Sequence, residues 1–538
     1  MASTIRQDQS VDRTNSRWLL GLLAIAILLG IGFRGFELDR KLYWHDEAYT
    51  SLRAAGFTRQ EIDEELFQNR IVPAPELQKY QRLKPGSTAA DTIHSLALED
   101  PQHPPLYFLM ARLWMQEFGS SLTASRTLPA LLSLLSLPLM YALAQELFAS
   151  RLTSLLASAL LALSPFDILF AQTARQYSLL TVTVIGSSLL LLRALRLQRW
   201  KNWVLYGLSI ALGLYTHPFF ILTLIAQGIF VLCYCLFFAK TKLRGHVINS
   251  HFFLSVIGGL IIYAPWIYVL GSNLQRASDT TDWTRVAPGL LYLVKLWVLS
   301  FTALFFDLDF GFYSIWTFLA RLPFLMIIVA GIYQVFHRIN RAHTLFILLS
   351  IFVPFLMLAL PDLIIGGKRS AVSRYLISCF PGVQLVVAYF LANSVKNRQR
   401  FWEFILAGVF TASIVSCVVS AFADTWWSKD VSYFNAEVAQ RINQEAIANR
   451  SIKDTIVISD RGNDFTNMGD LLSLSYLLDK DVRLMLISQS PDLEMLNKYS
   501  APLVFRPSEK LRSAFKRNQL RLEPVLANAR LFRVRRAA

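Results

Sequence analysis

Long apolar runs, each near the roughly 20 residues that cross a bilayer as a helix, recur along the chain from Trp18 to Phe422. In the clearest, Trp18 to Phe33, nothing is ionisable. The runs are continuous rather than alternating, so they predict helices and not the strands of a membrane barrel. Spans are expected near 17–36, 123–147, 152–170, 177–196, 202–216, 218–238, 251–270, 315–336, 343–360, 371–394 and 402–422. Two further apolar segments, 104–118 and 290–306, are short for a span and are expected to return to the side they came from, lying at the interface. The fold class is therefore a polytopic α-helical membrane protein with about 11–13 transmembrane helices.

Basic residues gather in short loops: Arg193, Arg196, Arg199 and Lys201; Lys240, Lys242 and Arg244; Arg338 and Arg341; Lys396, Arg398 and Arg400. Placing these in the cytoplasm orients every span, and the odd count of crossings puts the C-terminus outside. The basic lead of Arg6, Arg13 and Arg17 has no small-residue cleavage site after its apolar run, which predicts an uncleaved first span. The division is then a cytoplasmic N-terminus, 1–16, a transmembrane domain, 17–424, with an outer loop at 37–103, and an outer C-terminal domain, 425–538.

A second polar outer region covers about 271–314. The tail mixes β-rich runs (Thr455–Ser459, Val482–Ser488, Pro502–Arg506) with helical ones (Tyr433–Ile447, Ser508–Phe515), the pattern of a small α/β domain. Trp426 and Trp427 stand where an interfacial belt would lie.

Composition agrees with this picture. Of 538 residues 54% are hydrophobic and 17% charged, where a soluble chain carries about a quarter charged. The net charge of +16 suggests nucleic acid at first sight, but its cations sit between apolar runs, so anionic lipid headgroups are the partner and nucleic acid is not. The four cysteines (Cys233, Cys235, Cys379, Cys417) fall in apolar segments without a paired CxxC, and predict packing rather than disulfides or zinc.

On the expected outer side, span ends collect ionisable groups from distant parts of the chain. They are His45, Asp46 and Glu47; His103 before two prolines; Arg126; Arg175 and Tyr177; His217; and Lys368, Arg369 and Arg374. Most have an ordinary reading: solvated acids, a turn histidine, arginines that snorkel to headgroups. Lys368, Arg369 and Arg374 do not, because they oppose the orientation bias of every other basic cluster. A phosphate would account for them, since arginine meets phosphate oxygens bidentately.

The ordered strings Trp44-His45-Asp46-Glu47-Ala48-Tyr49, His103-Pro104-Pro105-Leu106-Tyr107, Ala174-Arg175-Gln176-Tyr177, Tyr215-Thr216-His217 and Arg374-Tyr375-Leu376 resemble bacterial glycosyltransferases of the GT-C superfamily. The branch is that of protein O-mannosyltransferases and lipid A aminoarabinose transferases, and the resemblance covers about residues 15–395. It implies a polyprenyl-phosphate sugar as donor, a hydroxyl on a lipid, glycan or protein as acceptor, transfer with inversion, and a bacterial plasma membrane with the active site facing outside. It also implies that Asp46 is the catalytic carboxylate, acting as base on the acceptor hydroxyl. Glu47, about 100° away if helical, is then a metal, acceptor or structural residue. His103, Arg126, Arg175, Tyr177, His217, Lys368, Arg369, Arg374 and Tyr375 are the expected substrate-binding set, with Arg175 and Arg374 placed to meet the departing phosphate. The sequence leaves open a divalent metal between Asp46 and His103.

The rival readings are a polytopic transporter or lipid flippase and a catalytically dead relative. Transporters favour mid-membrane charges and inverted repeats. This chain has neither, and it keeps Asp46.

Overall fold

The protein, seen in a computed structural model, is described over residues 2–239, 241–397, 400–429, 432–448, 455–462, 466–488, 502–526 and 530–536, with side chains from Trp18 onward. Lys240 and Arg398 of the basic loops lie outside the described residues, as do the side chains of Arg6, Arg13 and Arg17. The chain forms two compact units. One holds residues 1–37, 100–107 and 126–422; the other holds 38–99, 108–125 and 423–538.

The first unit is a helical bundle. Among the described residues, eight helices are long and apolar enough to cross a membrane: Trp18–Gly35, Leu122–Phe148, Tyr177–Leu197, Phe220–Phe237, Lys242–Ser272, Ile315–Arg338, Arg341–Ile364 and Arg400–Phe422. A ninth span is Arg151–Ala162 with Pro165–Ala171, bent by 55°. Trp200–Thr216 and Phe380–Lys396, of 17 residues each, occupy the two remaining expected positions. The span expected at 371–394 begins at Phe380 rather than 371. Gly366 and Gly367, at φ of 90° and 147°, stop the preceding helix. Two short 3-10 turns, Arg369–Ala371 and Ser373–Leu376, then lead to Pro381 in the first turn of the next helix, where its missing N–H costs nothing. Leu290–Thr302 has 13 residues, about 20 Å of helix, too short for a bilayer core of about 30 Å.

The break in the ninth span is closed by Arg34, a fully buried arginine of the first span. Its guanidinium donates to Leu161 O (3.0 Å), Ala162 O, Gly30 O (2.8 Å) and Ser133 Oγ (3.1 Å). Carbonyls at a helix end have no partner within the helix, and in an apolar bundle leaving them bare costs several kcal/mol (on the order of 2–7) each. Past the break, Ser164 caps Asp167 N–H (3.3 Å), and Asp167 accepts from the Gln384 amide (2.8 Å).

The second unit is built on a six-stranded sheet of β1 (Arg70–Pro73), β2 (Ile456–Asp460), β3 (Arg483–Ile487), β4 (Leu503–Phe505), β5 (Leu520–Leu526) and β6 (Leu531–Arg536), in the order β1-β3-β2-β4-β6-β5. β2 pairs in parallel with β3 and β4, while β1, β5 and β6 add antiparallel edges. Ile456, Ile458, Met485, Ile487 and Val504 pack beneath Leu511 and Phe515 of the Glu509–Arg517 helix. The three tail runs expected as strands are strands, and Asn435–Ala448 and Glu509–Arg517 are the expected helices. The first loop supplies β1, so loop and tail share one sheet: Arg70 stands opposite Leu486 and Pro73 opposite Arg483. Trp426, expected at an interfacial belt, is buried in this unit, and Trp427 is half-buried.

Candidate active site

In the second unit, Trp44-His45-Asp46-Glu47 opens the helix His45–Ala55, with Trp44 at its N-cap. Glu47 reaches back to accept the Trp44 N–H at 3.0 Å, which satisfies one of the bare donors of the first turn. The same oxygen lies 3.2 Å from Lys429 Nζ, and neither side chain is more than 2% exposed. His45 N–H donates to Ser432 Oγ (3.1 Å), whose hydroxyl donates to Asp470 (2.9 Å). Asp470 also accepts from Asn435 (3.0 Å) and pairs with Arg506. A side chain at Gly469 would run into the His45 ring, its Cβ falling 2.3 Å from Nδ1, so the close approach requires glycine. The first turn of this helix is thus fastened to the tail on the Glu47 side. Asp46, one residue earlier, is half-buried, and its backbone carbonyl accepts from Thr50 Oγ1 (2.9 Å).

The helical unit holds a separate cluster of cations, imidazoles and aromatic rings. Arg175 and Gln176 occupy the tight turn between Pro165–Ala171 and Tyr177–Leu197. Arg175 Nη2 donates to His103 Nε2 at 3.5 Å, and the Gln176 amide lies 3.3 Å from Nδ1. His103 faces His217 at 6.4 Å between ring centroids, and Tyr177 faces it at 6.1 Å.

His217 lies in the turn between Trp200–Thr216 and Phe220–Phe237, outside the spans. Burial, reinforced by His103, Arg175 and Arg374, pushes its imidazole well below the usual range. Phe219 N–H donates to Nδ1 (3.1 Å), so the neutral ring presents an Nε2–H donor. Phe219 stacks edge-on against Tyr375 at 4.4 Å. Arg374 lies over both Tyr375 (5.6 Å) and Trp283 (5.8 Å), and Lys368 Nζ lies 5.1 Å from the Trp283 ring.

The expected residues divide accordingly. His103, Arg175, Tyr177, His217, Arg374 and Tyr375 are linked in one chain of contacts, and Lys368 joins it through Trp283. Arg369 turns instead to its own loop, 3.6 Å from Asp362. Arg126 is fully buried within Leu122–Phe148. The sequence did not single out Gln176, Phe219, Trp283 or Lys429; Gln176 lay inside a noted string and Trp283 inside the noted region 271–314. Among the described residues no group of three or more His, Cys, Asp or Glu side chains is placed to hold a metal ion.

Residues 102–269 match the family model described as dolichyl-phosphate-mannose-protein mannosyltransferase. The fold is similar to that of ArnT from Cupriavidus metallidurans. The structure of that protein bound to undecaprenyl phosphate aligns with a TM-score of 0.53 at 13% identity, over 96% of this chain and 98% of the other. Its apo structure gives the same score and identity over 97% and 98%. No curated protein matches in sequence. These findings bear out the resemblance to the GT-C superfamily and the fold class with it. The protein is a polytopic helical membrane protein with a fold similar to that of ArnT, and with a small sheet-bearing unit completed by its C-terminal region.

Proposed function

We propose that the protein transfers a sugar from a polyprenyl-phosphate donor to an acceptor hydroxyl, with inversion, on the outer face of a bacterial plasma membrane. The observation that carries this reading is the cluster in the helical unit. Residues far apart in sequence assemble two arginines, a neutral histidine donor and aromatic rings in one place. Such a set suits a phosphate leaving group attached to a sugar: Arg175 and Arg374 meet the charge that develops on the phosphate. His217 offers a hydrogen bond without adding charge, and Tyr177, Tyr375 and Trp283 give flat surfaces for the sugar or the first isoprene units. Lys368, beside Trp283, adds positive charge, and Arg126 is a weaker candidate for the same role.

Asp46 is the base that takes the acceptor proton. Glu47, held by Lys429 and the Trp44 N–H, is a structural residue that fixes the turn carrying Asp46. The fold similarity to a protein seen with undecaprenyl phosphate, and the mannosyltransferase family match, support the donor class.

The test is transfer by purified protein from polyprenyl-phosphate hexoses or pentoses to membrane extracts, followed by release of free polyprenyl phosphate. Asp46→Asn should reduce turnover by about 10²-fold or more while leaving donor binding intact. A nucleotide sugar that served directly as donor, or an Asp46→Asn variant with parental turnover, would overturn the assignment.

A further inference from the structure

The second unit contains a cavity for which the transfer reaction has no role. It measures about 340 Å³, at the lower end of the ~300–1,000 Å³ of small-molecule pockets. Ile487 ends β3 at its wall, Asp460 ends β2, and Ser508 and the Glu509–Arg517 helix follow β4. The cavity therefore lies along the carboxyl ends of the parallel strands. β2 stands between β3 and β4, so the strand that follows β2 in sequence lies on one side of it and the next lies on the other, and the strand order reverses there. In open α/β sheets that reversal is where ligands bind, because the loops part there and leave a crevice.

Its chemistry is that of an anion site with an apolar floor. Arg59, Arg461, Lys510 and Arg517 line it, and Ile487, Leu511 and Ala514 form the floor. Arg59 is nine-tenths buried; its Nε lies 3.2 Å from Asp63, which Arg461 also approaches at 2.8 Å. Asp63 faces both guanidiniums. Asp460 accepts the Ser508 N–H (3.1 Å) and the Ser508 hydroxyl, so the positive end of the following helix is already neutralised. Binding would rest on the four side chains and not on the helix dipole. Lys510 and Arg517 are exposed and have no ion pair among the described residues. An excess of positive charge remains, concentrated around a floor that can take the carbon face of a sugar ring.

We propose that this cavity binds a phosphorylated saccharide. Guanidinium and ammonium groups meet the phosphate, and Leu511 and Ala514 meet the ring. A soluble sugar phosphate and a lipid-borne phosphosugar present the same chemistry to this site. The inference does not rest on the proposed transfer reaction, since it shares no residue with that site.

The test uses the full chain in nanodiscs and calorimetric titration with glucose 6-phosphate, glucose and inorganic phosphate. A second arm measures capture by vesicles doped with a phosphosugar lipid. Glucose 6-phosphate or the doped vesicles should bind, and glucose should not; which of the two binds identifies the source. Lys510→Gln combined with Arg517→Gln changes two exposed side chains, so the fold should survive, and it should weaken binding at least tenfold. Arg374→Ala should leave this binding unchanged. The proposal is overturned if neither probe binds, if phosphate alone binds as tightly as the sugar phosphate, if the double variant binds like the parent, or if Arg374→Ala removes the binding.

Discussion

The carboxylate of Glu47 and the ammonium of Lys429, 382 positions apart in the chain, meet at 3.2 Å with both side chains buried. Removing one member of a buried pair leaves an uncompensated charge, at a cost of about 3–5 kcal/mol, whereas removing both leaves none. Lys429→Met should therefore lower the unfolding temperature of the detergent-solubilised protein clearly, and Glu47→Gln/Lys429→Met should recover part of the loss. A catalytic Glu47 would give a different pattern, in which Glu47→Gln abolishes transfer without touching stability. Thermal unfolding and turnover measured on the same three variants separate the two roles.

The membrane spans were legible in the sequence because lipid imposes one demand, a continuous apolar helix, that leaves little else to read. The tail strands Ile456–Asp460, Arg483–Ile487 and Leu503–Phe505 were legible because they are almost wholly buried and therefore apolar. The antiparallel strands were not. β5 (LRLEPVL) and β6 (LFRVRR) carry charges on half-exposed faces, and β1 is four residues whose partner lies more than 400 positions away. The same limit applies to the candidate site. The motifs identified Asp46 and Glu47 as neighbours with different directions, but the pairing of Glu47 with Lys429 joins positions too far apart in the chain to be read from either motif. Trp283 carried no signal of its own, and its place beside Arg374 and Lys368 exists only in the folded bundle.

His217 gives a dependence on pH. The unfolded chain protonates this side chain below about 6.5, while the folded protein holds it neutral to lower pH because it is buried beside Arg175, Arg374 and His103. The unfolded state then binds more protons, so stability is full above about pH 6.5 and falls as the pH drops below it. His217→Asn keeps an acceptor for the Phe219 N–H and removes the titration. The drop in unfolding temperature between pH 7 and pH 5 should be larger for the parent than for the variant. Equal drops would show that His217 is protonated in the folded state.

Orientation is independently testable. With the spans expected from the sequence, the basic loops would all fall on one side, and an odd number of crossings would carry the tail to the other. A reporter active only outside the cytoplasm, fused after the last residue, should be active, and one that works only in the cytoplasm should be silent. The reverse result would place Asp46 and the tail on the cytoplasmic side and remove the basis for a lipid-phosphate donor used from outside.

Arg374 should prove to be a donor residue rather than a headgroup anchor. It lies 5.6 Å from the centroid of Tyr375 and 5.8 Å from that of Trp283, two rings within reach of its guanidinium. A guanidinium offers two parallel N–H donors to a phosphate, whereas lysine offers a point charge on a flexible stem. Arg374→Lys should therefore raise KM for the lipid-phosphate donor more than KM for the acceptor. Arg374→Ala should go further, because charge-assisted hydrogen bonds contribute about 1.5–3 kcal/mol each, tenfold or more in affinity. Arg175→Ala should match Arg374→Ala if both hold one phosphate, and the double variant should then fall short of the sum of the two losses. Titration of the solubilised variants with a polyprenyl-phosphate analogue decides it: parental affinity in Arg374→Ala would make the cluster a surface feature and move the donor site elsewhere.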